Sequence, residues 1–293
     1  MTPLDLAFVL LSALLHAVWS VSIKSSADPL CFNLLQSWPV PLLLGAMLPF
    51  VDLAEVPRAV WELLLATGVA HSLYLYWMSR AYEHGDLSLV YPIARSTPAF
   101  LPLVALPLLG EVPSPLGALG IAIVVVGVWL VHGAQRWRLE LLMQPAARFA
   151  FLTLAATVAY SLIDKAAMSG LAEAPWSSPV PRAIAYSLLL STAHVLLFGP
   201  LVLRVRGLSA LRATARSELP KATFATFISF GSYTLILKAM ETALVSYVVA
   251  VRQSSVLFAL VLGVWLLRER PQRERIVGAT ATVIGVALIA LFP

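Results

Sequence analysis

This sequence predicts an all-α integral membrane protein of ten transmembrane helices in two inverted five-helix repeats, and three observations predict it. Of 293 residues, 60% are hydrophobic and 12% charged, against roughly 45–50% and about 25% in an ordinary soluble domain. Ten apolar stretches each approach the length of about 20 residues that bilayer hydrocarbon demands of a helix. Short polar signatures in the first half of the chain also return, in order, in the second.

Backbone amides in hydrocarbon have no water to bind, so the stretches read as helices rather than strands. The first, 4–24, lacks a basic leader and a small-residue cleavage site, so it reads as a retained span and not a signal peptide. The second and third cover 30–50 and 60–81. The fourth, 86–109, contains Pro92, Pro98, Pro102 and Pro107. Each proline removes an amide donor, so this helix is expected to bend more than its proline-free counterpart, the ninth. The fifth is 115–133, and residues 134–148 form a connecting loop. Then come 149–169, 180–203, a basic loop over 204–221, and 220–240, 244–267 and 273–292. No linker is long enough for a soluble domain. Residues 1–133 and 149–293 are the two repeats.

The repeat rests on five correspondences. Trp19, Ser20 and Lys24 return as Tyr160, Ser161 and Lys165, and Arg80, Ala81 and Glu83 as Lys238, Ala239 and Glu241. Arg95 returns as Arg252, and Gly110, Glu111 and Pro113 return as Arg268, Glu269 and Pro271. Gly120 and Gly127 return as Gly278 and Gly285. An odd number of spans per repeat starts the second half on the opposite face of the membrane, which inverts it relative to the first. Inverted repeats carry their binding sites near the bilayer midplane, at the interface between the halves.

The run from Arg80 through Tyr82, Gly85, Asp86, Tyr91 and Pro92 to Arg95 resembles EamA-like members of the drug/metabolite transporter superfamily. So do the turn Leu109-Gly110-Glu111 and its partner Leu267-Arg268-Glu269-Arg270. The opening, Leu14-Leu15-His16-Ala17-Val18-Trp19-Ser20, is similar to a branch found beside phosphonate-utilisation genes, which has Asn where this chain has Ser20. The resemblance covers essentially the whole chain. It implies ten helices around a central cavity and secondary transport of metabolites, often export.

The residues themselves point to an anion site. Arg95 and Arg252 each fall mid-span, where a charged side chain costs roughly 2.5–3.5 kcal/mol on insertion scales. Ser88, Tyr91 and Arg95 share one helical face, as do Arg252 and Ser255. Two guanidinium forks with neighbouring hydroxyls suit a carboxylate, phosphonate or phosphate. The plainer reading is that each arginine holds backbone carbonyls where helices pack. His16 faces the same way as Trp19, and His71 the same way as Tyr74, which completes the candidate substrate-binding set. With His194 these histidines are interhelical hydrogen-bond formers or, when protonated, couple transport to a proton gradient. Trp38 is placed with Trp19 and Tyr91 around the cavity, while Trp61 and Trp137 read as interface-belt residues. Lys24 and Lys165 read as snorkelling to the interface. Asp164 reads as solvated at a helix end, with a gate ion pair or proton site as alternatives.

Several functions are excluded or disfavoured. There is no HExxH, Walker A loop, prenyl-transfer Asp cluster or GxSxG, and no metal site or tightly bound cofactor is expected. Lone Cys31 forms no internal disulfide. The net charge of +5 resides in loops, which argues against nucleic acid. The expectation is a monomeric or homodimeric secondary transporter, a permease or exporter, in the inner membrane. It moves a small anionic or zwitterionic metabolite by alternating access. The alternative is an integral-membrane enzyme acting on lipid or isoprenoid headgroups, disfavoured because the carboxylates are expected at helix ends. Loops after odd-numbered helices carry fourteen Lys and Arg and those after even-numbered helices four. The positive-inside rule then places both termini in the periplasm, whereas the resemblance implies the cytoplasm.

Overall fold

The computed structural model describes residues 1–24, 26–85, 87–131, 143–267 and 272–293, without the side chains at 21, 24, 87, 88 and 262–267. Among the described residues every regular element is helical. The α-helices are α1 (Pro3–Lys24), α2 (Pro29–Ser37), α3 (Pro39–Met47), α4 (Arg58–His84), α5 (Leu87–Ala94) and α6 (Thr97–Leu109). They continue as α7 (Pro115–Val131), α8 (Pro145–Glu173), α9 (Arg182–Met240), α10 (Val245–Arg252), α11 (Ser255–Leu267) and α12 (Arg273–Leu291). Among the described residues, six helical stretches are long and apolar enough to cross a membrane, Pro3–Ser20, Leu89–Leu109 and Arg273–Leu291 being three of them. Large apolar side chains such as Leu42, Leu103, Phe227 and Ile284 face outward. A water-soluble protein would bury them; lipid does not require it.

Three spans that the sequence presents as single helices are broken. The 30–50 stretch divides at Trp38, because Pro39 opens a new helix without an amide to continue the old one. The 86–109 stretch divides after Ala94, where Pro98 leaves the Ala94 carbonyl without its i+4 donor. The 244–267 stretch divides at Gln253 and Ser254 with no proline nearby. There the amides tighten onto carbonyls three residues back, Gln253 onto Ala250 at 3.1 Å and Ser254 onto Val251 at 2.9 Å. The expected contrast between the proline-rich fourth span and the proline-free ninth therefore gives way to two breaks at corresponding points. Residues 204–221, expected as a basic loop, are helical. The α9 helix runs through them, interrupted at Gly207, whose φ of 79° is open to glycine at little steric cost.

The two glycine pairs bring α7 and α12 into backbone contact. A Cβ added at Gly120 would stand 2.7 Å from the Gly285 carbonyl oxygen, and one at Gly278 would stand 2.5 Å from that of Gly127. Small residues allow such approach, and dispersion between close backbones holds helices together where no hydrophobic effect operates. Gly120 meets Gly285 and Gly127 meets Gly278, so the two helices run antiparallel.

Polar contacts tie loops together at the two ends of α4. Beyond its first residue, Glu55 accepts from Ser177 N at 2.8 Å and Oγ at 2.6 Å, and from Ser178 Oγ at 2.9 Å. Near its last residue, Arg206 bonds Glu83 and reaches Asp28 at 3.1 Å. Beside Asp28, Cys31 is fully buried with Leu34, Leu75, Met78, Phe198 and Val202.

Candidate functional site

Arg95 follows the last residue of α5 and Arg252 is the last residue of α10. Half-helix ends expose carbonyls with partial negative charge, which favours a cation there. Both guanidiniums converge on His16 of α1. Arg95 Nη2 lies 2.5 Å from His16 Nε2, and Arg252 Nη2 lies 3.4 Å from His16 Nδ1. The Arg95 guanidinium stands 4.9 Å from the Tyr91 ring centroid, and that of Arg252 stands 5.6 Å from the Tyr233 ring. Neither arginine pairs with a carboxylate among the described residues. Guanidinium only donates, and an imidazole that keeps one proton offers a single lone pair. His16 therefore cannot accept from both. Among the described residues, buried Arg252 Nε, Gln253 Oε1, Ser254 Oγ and Ser255 Oγ also have no hydrogen-bond partner. Unpaired buried polar atoms are costly, and such a concentration marks a place where a polar guest completes the bonding.

Next to this group lies a cavity of about 130 Å³. At about 30 Å³ per water it holds a few waters or a small solute. Of the expected set, His16, Trp19, His71, Tyr74 and Arg252 line it. Arg95, Tyr91 and Ser255 do not, although Arg95 reaches it through His16. The Ser88 side chain lies outside the described residues. Sequence reasoning missed Gln36, Tyr160, Ser229, Ser232 and Tyr233, all of which line the cavity. Gln36 Oε1 accepts from Trp19 Nε1 at 2.8 Å, and Tyr160 stacks on His71 at 4.1 Å. The repeat carried the signal for most of these. Tyr160 is the counterpart of Trp19, and the offset that relates Arg80 to Lys238 takes His71 to Ser229 and Tyr74 to Ser232.

Asp164 corrects the expectation of a solvated helix end. It sits nine positions before the end of α8 at 0% exposure. Its Oδ1 accepts from Thr67 at 2.7 Å and from Tyr186 at 2.8 Å; its Oδ2 bonds Tyr233 and lies 3.2 Å from His71 Nε2. Lys165 neither pairs with Asp164 nor snorkels. Its Nζ donates to the Met240 and Ala243 carbonyls at 2.8 and 3.0 Å, closing the last turn of α9. Trp38 is 46% exposed and turned away from the cavity, while Trp61 at the start of α4 is exposed as a belt residue would be. Lys24 and Trp137 fall on side chains outside the described residues. Among the described residues, no three His, Cys, Asp or Glu side chains are grouped to hold a metal.

An apolar helical bundle that encloses a polar, cationic cavity is the build of a membrane protein made to admit a polar solute. The EamA-like transporter family matches residues 4–133 and 147–291, and the chain belongs to that family. It is thereby a multi-pass membrane protein of a transporter class, and the headgroup-enzyme alternative is not favoured. Among solved structures 29 chains match. One, described as "Crystal structure of protein", is 18% identical with a TM-score of 0.69, covering 99% of this chain and 98% of that one. At that identity the likeness concerns the fold. Comparison with curated proteins gives no match.

Proposed function

We propose that the chain is a secondary transporter of the inner membrane, crossing it ten times, whose substrate is a small anionic or zwitterionic metabolite held by Arg95 and Arg252. The observation that carries this reading is the pair of carboxylate-free guanidiniums converging on one imidazole. A carboxylate, phosphonate or phosphate entering between them accepts from both forks, supplies the missing negative charge and frees His16 from serving two donors. The buried hydroxyls of Ser254 and Ser255 lie beside Arg252 in the chain and add donors for the remaining oxygens.

Alternating access is supported by the symmetry of the contacts. Exchanging the repeats takes the Gly120–Gly285 contact onto Gly278–Gly127, the behaviour of a two-fold axis crossing an antiparallel helix pair. It also takes the break at Arg95 onto the break at Arg252. Half-helices broken at the midplane are a recurrent transporter device. With repeats of residues 1–133 and 149–293, interchange of their two conformations opens the cavity to alternate sides.

The test is binding of methylphosphonate, phosphate and succinate to the purified protein by calorimetry, repeated with Arg95→Lys and Arg252→Lys. Lysine keeps the charge and loses the fork. Loss of one charge-assisted hydrogen bond, about 1.5–3 kcal/mol, is a loss of roughly ten- to a hundred-fold in Kd. Unchanged affinity in both variants would return the arginines to a packing role.

A further inference from the structure

We propose that His71 and Asp164 form a proton-binding site whose occupancy is linked through Tyr233 to the anion at Arg252, making the transporter a proton–anion symporter. The proposal rests on the anion reading above for its second half and on the Asp164 pocket for its first.

An ionised carboxylate has about four lone-pair positions, and Asp164 has four partners: Thr67, Tyr186, Tyr233 and His71. Three of these are neutral hydroxyls. Burying a carboxylate without a countercharge costs several kcal/mol, and the adjacent cation Lys165 spends its ammonium on two carbonyls of the α9 end. His71 is the one bonded partner able to become cationic. Its Nε2 faces Asp164, which is absent from the cavity wall, whereas the imidazole itself lines that wall and is 17% exposed. The proton path follows. A hydronium ion in the cavity gives its proton to His71 Nδ1: its O–H bond breaks to leave water as the Nδ1–H bond forms, while Nε2–H keeps its hydrogen bond to Asp164 Oδ2. The pocket passes from net negative to neutral, and no other bond changes.

The other titratable and charged groups lining the cavity with His71 are His16, Tyr74, Tyr160, His194, Tyr233 and Arg252, with Arg95 behind His16. His194 is turned to Ser72, 3.1 Å from its Nδ1. Of the fixed charges, Arg252 lines the cavity, and Tyr233 connects it to the pocket: its hydroxyl bonds Asp164 and its ring lies under the guanidinium. A bare Arg252 opposes a second positive charge on His71. An anion on Arg252 removes that opposition, so anion and proton promote each other's binding, and the effect is reciprocal. Together they cross with little net charge.

The chain has 5 histidines, so ¹⁵N-histidine labelling gives few signals, and loss of one in His71→Gln assigns it. In wild-type protein in lipid nanodiscs, without substrate, the buffer is taken from about pH 9 to pH 5 and the His71 signal should pass from imidazole to imidazolium. Asp164→Asn should lower the midpoint, since the negative charge beside the imidazole is lost. Arg252→Gln should raise it, and Tyr233→Phe should shrink the Arg252 effect. A His71 signal fixed in one state across that range, or a midpoint indifferent to Arg252→Gln, overturns the proposal. Should Asp164→Asn not fold, the wild-type and Arg252→Gln titrations decide alone. Failure of methylphosphonate and succinate to bind would strike the anion reading while leaving this ligand-free titration intact, so the two failures are distinguishable.

Discussion

Glu55 stands in the turn between α3 and α4, where its carboxylate gathers the hydroxyls and amides of Ser177 and Ser178. Those bonds, the Ser177 hydroxyl foremost, lower its pKa from 4.5 to about 2. A depressed carboxylate stabilises the folded form above its unfolded value and ceases to do so as pH falls through its folded one. The clasp should therefore hold at and above about pH 4.5 and release toward pH 2. Amide protection at Ser177 and Ser178, measured by hydrogen exchange, should fall over that interval in wild-type protein. In Glu55→Gln it should be low throughout; equal protection in the variant would show that the clasp does not order the turn. Asp164 shows why such partners escape a sequence. Its bonds come from Thr67 and His71 on α4 and Tyr186 and Tyr233 on α9, each distant along the chain. Beside Lys165, with polar Ser161 one turn before it, the residue reads as solvated, and only the packing of three helices seals it.

At the level of elements, the glycines of α7 and α12 make the sharpest prediction. Leucine at Gly127 or Gly278 has to displace a neighbouring backbone, because a Cβ at Gly127 would stand 2.7 Å from the Gly278 carbonyl oxygen. Overpacking costs about 1–3 kcal/mol and more where backbone must move, so thermal unfolding in detergent should begin at clearly lower temperature. Gly45 in α3, where a Cβ meets nothing within 4 Å, should tolerate alanine without loss. Equal stability of Gly127→Leu and wild type would contradict the close approach. Helix positions were legible because apolar length is a one-dimensional signal. The break after Ala94 was half-legible through Pro98. That at Gln253 was not, since its cause is local tightening among ordinary residues rather than a residue that forbids helix. The helical 204–221 segment misled for the opposite reason: charge density there suggests a loop, but Arg206 is spent on Asp28 and Glu83.

The whole molecule sorts its connections into two sets. Asp28, Glu83 and Arg206 meet at one end of α4, and Glu55, Ser177 and Ser178 at the other. The first set follows the first, third and seventh apolar stretches and the second follows the second and sixth, the alternation expected of a chain that crosses at every stretch. The basic excess lies with the first set, so the positive-inside rule predicts termini on the periplasmic face. A fluorescent protein fused after Pro293 should stay dark and an alkaline phosphatase there should be active; the converse would invert the orientation and favour the arrangement the family resemblance implies. Mapping which side of the membrane the cavity faces is helped by Cys31, the chain's single cysteine, shut among Leu34, Met78 and Phe198. Buried as it is, Cys31 should leave the natural protein silent to thiol reagents, so one cysteine introduced at Ser229 on the cavity wall is read against no background. Its labelling from outside or inside, with and without substrate, then reports the direction of opening on an otherwise native chain.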